Sequence, residues 1–300
     1  MKVLICDPVS ESAVNLIKEG GNDVTVQSDI TPEELMEVIP QYEAIVVRSR
    51  TKVRKPLLEK AKNLKLIVRG GVGIDNIDHE DAKSMGIEVR NTPAASSASV
   101  AELAIGHMFS LARHIPTGTA SLKSGEWIKK KLKGTELANK TLGIIGIGRI
   151  GKQTAKRAIA LGMNVIAYDP YIKESGLEGV SMTDLDNLLS ESDYISLHIP
   201  HTDETHHLLS SSAFEKMKES SYLVNCARGG VVDEDALHNA LSEGKIAGAA
   251  FDVFETEPPV GNKLFTLDNF FCTPHIGAST KEGQARVGEE VASIINGFTS

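Results

Sequence analysis

Three short polar stretches hold the residue types that acid–base chemistry needs, and each follows an apolar, strand-like run. They are Asn225-Cys226-Ala227-Arg228-Gly229-Gly230, Asp252-Val253-Phe254-Glu255-Thr256-Glu257-Pro258-Pro259 and Thr273-Pro274-His275-Ile276-Gly277-Ala278. In an α/β protein such loops lie outside the carboxyl ends of the strands, where ligands bind. Imidazole titrates closest to neutral pH, so His275 can take a proton from a hydroxyl as hydride leaves the carbon. A carboxylate beside it would stabilise the protonated ring and fix its tautomer, and both Glu255 and Glu257 are placed to serve. Arg228 can hold a substrate carboxylate by a planar two-pronged contact and polarise the adjacent C–O.

A hydride needs an acceptor, and Lys140 to Pro170 describes where one would sit. The apolar run Leu142 to Ile145 leads straight into Gly146-Ile147-Gly148-Arg149-Ile150-Gly151, which opens a helix-like segment ending near Gly162. A second strand, Asn164 to Tyr168, stops at Asp169. Gly146 permits the tight turn, Gly148 lets backbone N–H groups approach a pyrophosphate, and Gly151 lets the helix pack on the strand. The anion would rest at a helix N-terminus. Asp169 would accept the ribose hydroxyls of NAD and repel the extra phosphate of NADP, and Pro170-Tyr171-Ile172 supplies no arginine to neutralise it.

The elements that must position these residues alternate. Runs at Val3 to Cys6, Val24 to Val26, Ala44 to Val47, Leu66 to Val68 and Ile87 to Val89 predict a first parallel sheet. Thr31-Pro32-Glu33-Glu34 reads as a capped helix start. After a small, polar, hinge-like stretch at Ala94 to Ser99, a long amphipathic helix is predicted from Val100 to about Ile115. Beyond the glycine-rich turn, strands are expected at Tyr194 to Leu197, Tyr222 to Asn225, Gly248 to Phe251 and Asn269 to Cys272. The closing helix, Lys281 to Asn296, lies outside that second pattern and is expected to return to the first domain. The expectation is α/β: two doubly wound parallel-sheet domains, a Rossmann NAD-binding domain over 95–278 and a discontinuous flavodoxin-like substrate domain over 1–94 plus 279–300. Short linkers suggest walls that close by hinge motion.

Composition narrows the partners. With a formal net charge of −8, the chain gives no electrostatic reason to expect nucleic acid or an anionic membrane, so an anionic substrate must meet a local cluster of cations. The N-terminus has too short an apolar run for a signal peptide, and no stretch approaches the ~18 apolar residues of a membrane span, so a cytoplasmic protein is expected. Cys6, Cys226 and Cys272 are far apart and read as reduced thiols. His198, His201, His206 and His207 cluster on paper, but without cysteine partners no metal site is expected there.

The chain resembles the D-isomer-specific 2-hydroxyacid dehydrogenases along essentially its whole length. The likeness rests on Val68-Arg69-Gly70-Gly71-Val72-Gly73-Ile74-Asp75-Asn76-Ile77-Asp78, on Gly134-Thr135-Glu136-Leu137, and on the glycine turn and the three polar stretches. It is greatest to the short members that oxidise D-3-phosphoglycerate in the first step of serine biosynthesis. The resemblance implies His275 as acid/base, Glu257, directly before proline, as its partner, and Arg228 as the carboxylate holder. It implies cofactor contacts from Val72, Arg149, Ile150, Asp169, Ile199, Cys226, Ala227, Arg228, Asp252, His275, Ile276, Gly277 and Ala278, beside Gly146, Gly148 and Gly151. Substrate contacts would come from Arg48, Ser49, Arg69, Ser96 and the neighbouring Ser97, and from Lys129 of a partner subunit in a homodimer formed through the long helix after Ser99. Arg50 stands close enough to compete with Arg48 for that role.

Phosphoglycerate-specialised members often carry asparagine at the position of Ser96 and arginine at that of Lys129. Lysine lacks the two-pronged phosphate contact, so the resemblance fixes reaction class more firmly than substrate. A glyoxylate or hydroxypyruvate reductase is the alternative enzyme, and a non-catalytic NAD-sensing corepressor the alternative class. Ending at Ser300, just after the closing helix, the chain is expected to lack the C-terminal regulatory modules of longer relatives.

Overall fold

The structure, a computed structural model, describes residues Met1–Phe298. The chain divides into two compact units, Met1–Ser97 with the stretch from Ala278 onward, and Ala98–Gly277.

The first unit is built on β1 (Lys2–Ile5), β2 (Asp23–Val26), β3 (Ala44–Val47), β4 (Leu66–Arg69) and β5 (Glu88–Asn91), all parallel in the order β2-β1-β3-β4-β5. Alternate residues of each strand face opposite sides of the sheet. Leu4, Ile45 and Ile67 therefore join one core with Leu35, Leu57 and Ala82, while Val3, Ile5, Val46 and Val68 join another. With both faces covered, the central strand β3 is buried throughout, which is why it reads as an unbroken apolar run. The second core is closed by the helix Lys281–Asn296, whose Val287, Val291, Ala292 and Ile295 lie on one stripe. A Cβ at Gly288 would fall 2.6 Å from Ser10 Oγ and 2.8 Å from Ala13 Cβ, so glycine is what lets this helix approach the helix Glu11–Glu19. At the helix Pro32–Val38 the capping box forms: Thr31 Oγ1 accepts from Glu34 N at 3.2 Å, and Glu34 Oε2 accepts from Thr31 N at 2.9 Å.

The second unit contains β6 (Thr141–Ile145), β7 (Asn164–Tyr168), β8 (Val180–Met182), β9 (Tyr194–Leu197), β10 (Tyr222–Asn225), β11 (Gly248–Phe251) and β12 (Phe270–Cys272). They form one parallel sheet in the order β12-β11-β10-β9-β6-β7-β8. Strand order reverses between β6 and β9, and the loops after β6, β10, β11 and β12 all leave from the carboxyl edge. That is the crevice where open α/β sheets bind ligands.

Three local differences from the sequence expectation have physical causes. Strand β8 has three residues at the sheet edge, too few for a period-two pattern to show. The run expected at Ile87 to Val89 pairs as Glu88–Asn91, because register with β4 rather than hydrophobicity sets its ends. The helix Ser97–Arg113 stops where His114 turns left-handed at φ 54°, and a second helix, Ile115–Lys123, starts with Pro116 in its first turn. Proline cannot continue the first helix, having no N–H and a ring that clashes with the carbonyl four residues back. No helix among the described residues is long and apolar enough to cross a membrane.

Candidate active site

The loops after β10, β11 and β12 bring the acid–base residues together. His275 Nδ1 and Glu257 Oε2 are 2.7 Å apart, with both side chains still partly open to solvent. Burial works against ionisation of Glu257, but the His275 hydrogen bond and charge, the Phe254 N–H and the Arg228 guanidinium outweigh it and hold the carboxyl below its usual range. Arg228 reaches this position because buried Asn225 ties off the turn: its Oδ1 accepts from Ala227 N and its Nδ2 donates to Arg228 O, both at 3.0 Å. A Cβ at Gly229 would fall 1.8 Å from Phe254 O, so glycine there lets the Arg228 loop lie directly on the Glu257 loop.

Glu255 is otherwise engaged. Its Oε1 accepts from Glu234 N at 3.2 Å and lies 3.0 Å from His207 Nε2, so it pins its loop to the helix Glu234–Ser242. The His206 ring stacks on His207, and His201 Nε2 lies 3.0 Å from His206 Nδ1. Among the described residues, no group of three or more His, Cys, Asp or Glu side chains is arranged to hold a metal.

His275 itself has φ 52°, a left-handed conformation that non-glycine residues adopt rarely and mostly where the surroundings enforce it. Here Asp252, 1% exposed, does the enforcing. Its main-chain oxygen accepts from His275 N at 2.9 Å, and its carboxylate accepts from Ile276 N at 2.8 Å and Gly277 N at 2.7 Å.

At the start of the same sheet edge, the glycine turn follows β6. Gly146 has φ 94°, and a Cβ there would meet His198 O at 2.6 Å; at Gly151 it would meet Gly146 O at 2.1 Å. Burial drives the His198 imidazole down to about 3, so this neighbour of the turn is uncharged. Asp169, at the end of β7, accepts from Ile147 N at 3.1 Å, Tyr171 N at 3.0 Å and Ile172 N at 3.1 Å, which fixes its carboxylate against the turn. Arg149 is exposed, Ile150 and Ile199 are half-buried, and Cys226 and Ala227, in the Arg228 loop itself, are buried.

The remaining sequence-predicted residues mostly belong to the first unit. Arg48 and Ser49 follow β3, Arg69 ends β4, and Arg69 Nη2 donates to Ser49 Oγ at 3.2 Å, so three candidate anion-binding groups share one edge. Val72 and Ala278 also lie in this unit, and Ser96 is 2% exposed, almost closed to solvent. Arg50 is committed elsewhere: its Nε pairs with Asp7 at 2.9 Å and its other nitrogens with the carbonyls of Cys6, Ser28 and Ile30. Lys129 stands exposed in the second unit, in a turn after the helix Ile115–Lys123.

Two supports of the Arg48 loop were not singled out in the sequence. Buried Asp7 accepts from Arg48 N at 2.5 Å and from Thr51 N and Oγ1, while Asn76 Nδ2 donates to Arg48 O at 2.7 Å and Thr51 O at 2.6 Å. Asp7 lies two residues beyond the end of β1, so the rule that drew attention to the other strand-end residues also covers it.

Comparison with known proteins decides the family. Residues 105–277 match the profile described as D-isomer specific 2-hydroxyacid dehydrogenase, NAD binding domain. The chain is 52% identical over 298 residues to D-3-phosphoglycerate dehydrogenase of Methanocaldococcus jannaschii, covering 98% of this chain and 57% of that protein. It is 50% identical over 297 residues to hydroxypyruvate reductase of Thermotoga maritima, covering 98% and 97%. The chain belongs to the D-isomer-specific 2-hydroxyacid dehydrogenase family. It thus spans little more than half the length of some of the curated relatives it matches. Among solved structures, D-lactate dehydrogenase of Aquifex aeolicus, complexed with NAD and lactic acid, superposes with a TM-score of 0.84 at 34% identity, covering 98% of this chain and 94% of that one.

The second unit, which holds the family's NAD-binding domain, suits such a cofactor at one telling position. Gly146 and Gly151 are demanded by the protein's own packing, but Gly148 is not: its φ of −70° is open to any residue and its Cβ would stand in empty space. Gly148 is also the N-cap of the helix Arg149–Ala160, which no side chain caps, so unsatisfied N–H groups face that space. A dinucleotide pyrophosphate supplies the negative charge and the close approach that would require glycine there.

Proposed function

We propose that this chain catalyses NAD-dependent oxidation of a D-2-hydroxy acid, and that its substrate is D-3-phosphoglycerate, giving 3-phosphohydroxypyruvate and NADH. The observation that carries the reaction class is the 2.7 Å pairing of His275 with Glu257, on neighbouring loops of the edge that bears the glycine turn. Because Nδ1–H donates to Glu257, the Nε2 lone pair is left to accept the hydroxyl proton of the substrate. The nicotinamide ring, when bound, takes the hydride. As His275 gains its proton, Glu257 supplies the opposing charge, and Arg228 holds the substrate carboxylate and polarises the adjacent C–O. Asp169, a fixed carboxylate without an arginine next to it, favours NAD over NADP.

The phosphate reading rests on the first unit, whose strand order 2-1-3-4-5 supports a flavodoxin-like substrate domain. Arg48, Ser49 and Arg69 would receive the phosphate in an otherwise acidic chain, and the relative from M. jannaschii bears the corresponding name. The T. maritima relative, at nearly the same identity, favours hydroxypyruvate as a second reading. For the assembly we propose a cytoplasmic homodimer. Ile115, Leu122 and Trp127 are 50%, 61% and 78% exposed around a pocket of about 500 Å³ that Lys129 also lines, an apolar surface suited to a second copy.

A panel of D-2-hydroxy and 2-keto acids, with and without phosphate, followed by NADH absorbance, tests the assignment. Wild type should prefer 3-phosphoglycerate, and Arg48→Ala should raise its KM roughly tenfold or more while sparing a small unphosphorylated acid, because only a remote handle is lost. Equal effects on both substrates would misplace the phosphate site; no preference for phosphate in the wild type would hand the assignment to hydroxypyruvate.

A further inference from the structure

Behind the turn that carries His275 lies a buried polar chain that the reaction as described leaves unused. His107, on the helix Ser97–Arg113, is 4% exposed, and its Nε2 lies 3.1 Å from Thr273 Oγ1. Thr273 Oγ1 in turn lies 2.5 Å from Asp252 Oδ1, the carboxylate that also receives the N–H groups of Ile276 and Gly277. Thr273 has one proton to give. A carboxylate oxygen can only accept, so the Thr273 hydroxyl donates to Asp252 and must itself accept from His107. Nε2 of His107 therefore carries a hydrogen. Burial pushes the His107 pKa down against the opposing pull of Asp252, so the ring makes this donation as a neutral Nε2–H tautomer and brings no charge into the site.

Asp252 holds His275 in its left-handed conformation through three backbone N–H groups, that of His275 on its main-chain oxygen and those of Ile276 and Gly277 on its carboxylate, and any rotation of the carboxylate would loosen the latter two. Thr273 is the hydroxyl that meets the carboxylate from the helix side, and His107 is what orients that hydroxyl.

We propose that His107 is a positioning residue for His275, acting through Thr273 and Asp252 to lock the acid–base turn onto the helix Ser97–Arg113. The inference rests on the reading of His275 as the acid–base group. Its test separates the two. In the 15N-labelled wild-type protein, long-range 1H–15N correlation of the histidine side chains should show His107 as a neutral Nε2–H tautomer near neutral pH, whatever the turnover. His107→Leu should lower kcat roughly tenfold, the scale of one buried hydrogen bond, with NADH affinity little changed. His107→Gln, whose carboxamide nitrogen can donate to Thr273, should recover most of that loss, and His107→Leu should add nothing in a Thr273→Val background. An Nδ1–H tautomer, a His107→Leu enzyme as fast as wild type, or a His107→Gln enzyme as slow as His107→Leu would each overturn the proposal. Should His107→Leu fail to fold, the tautomer in the wild type still decides. Undiminished turnover in His275→Ala would instead sink the acid–base reading itself.

Discussion

Glu257 sits where two opposing effects meet: burial favours its neutral form, while His275, the Phe254 N–H and Arg228 favour the carboxylate and prevail. A carboxyl with a lowered pKa contributes its pairing fully above the ordinary carboxylate range and loses it only as pH falls through the lowered value. The His275–Glu257 pair therefore stands intact at neutral pH. Replacing Glu257 with Gln removes the charge that stabilises imidazolium, so the acidic limb of kcat/KM for hydroxy-acid oxidation should move to lower pH, with a loss smaller than that of His275→Ala. An unmoved limb would mean that another carboxylate partners the histidine. Sequence reasoning about residue types alone left Glu255 and Glu257 level, because they lie two residues apart in one loop. What separates them is which way the loop turns, with Glu255 drawn to Glu234 and His207 and Glu257 to His275. Arg48 and Arg50 pose the same problem, and what distinguishes them is Asp7, a residue more than forty positions away along the chain that pairs with the Arg50 side chain.

At the scale of elements, much of the alternation was legible because parallel strands buried on both faces are mostly apolar and rich in β-branched residues, as Ala44–Val47 is. What could not be read were features set by partners distant in sequence, such as the edge strand Val180–Met182 and the hold of Asn76 on the Arg48 loop. The glycine turn allows a sharp test, since its three glycines answer to different demands. Gly151→Ala would drive a Cβ to 2.1 Å from Gly146 O, and overpacking of this kind costs about 1–3 kcal/mol, so its Tm should fall by several degrees. Gly148→Ala meets no protein atom and should melt like the wild type, yet bind NADH roughly tenfold or more weakly, because the methyl group occupies the approach to the uncapped helix N-terminus. Melting curves and NADH fluorescence titrations on the two variants measure both effects. A Gly148→Ala protein with unaltered NADH affinity would remove the pyrophosphate from this turn.

For the whole molecule, a net charge of −8 means that an anionic substrate is drawn in only by local cations, and rising salt should weaken a phosphorylated substrate more than an unphosphorylated one. Trp127, the single tryptophan of the sequence and 78% exposed within one chain, should report on assembly. If two copies associate through this surface, its emission should shift to the red on dilution as the dimer dissociates, and Trp127→Ala should weaken self-association in sedimentation. A monomer at all concentrations would refute the dimer. The central claim, that this chain moves a hydride by way of proton transfer at His275, is tested most directly by following NADH formation from 3-phosphoglycerate and other D-2-hydroxy acids with wild type and His275→Ala side by side. The account predicts turnover in the wild type and a kcat lower by roughly 10²-fold or more in the variant, with NADH affinity nearly unchanged; equal turnover in the two proteins would contradict it.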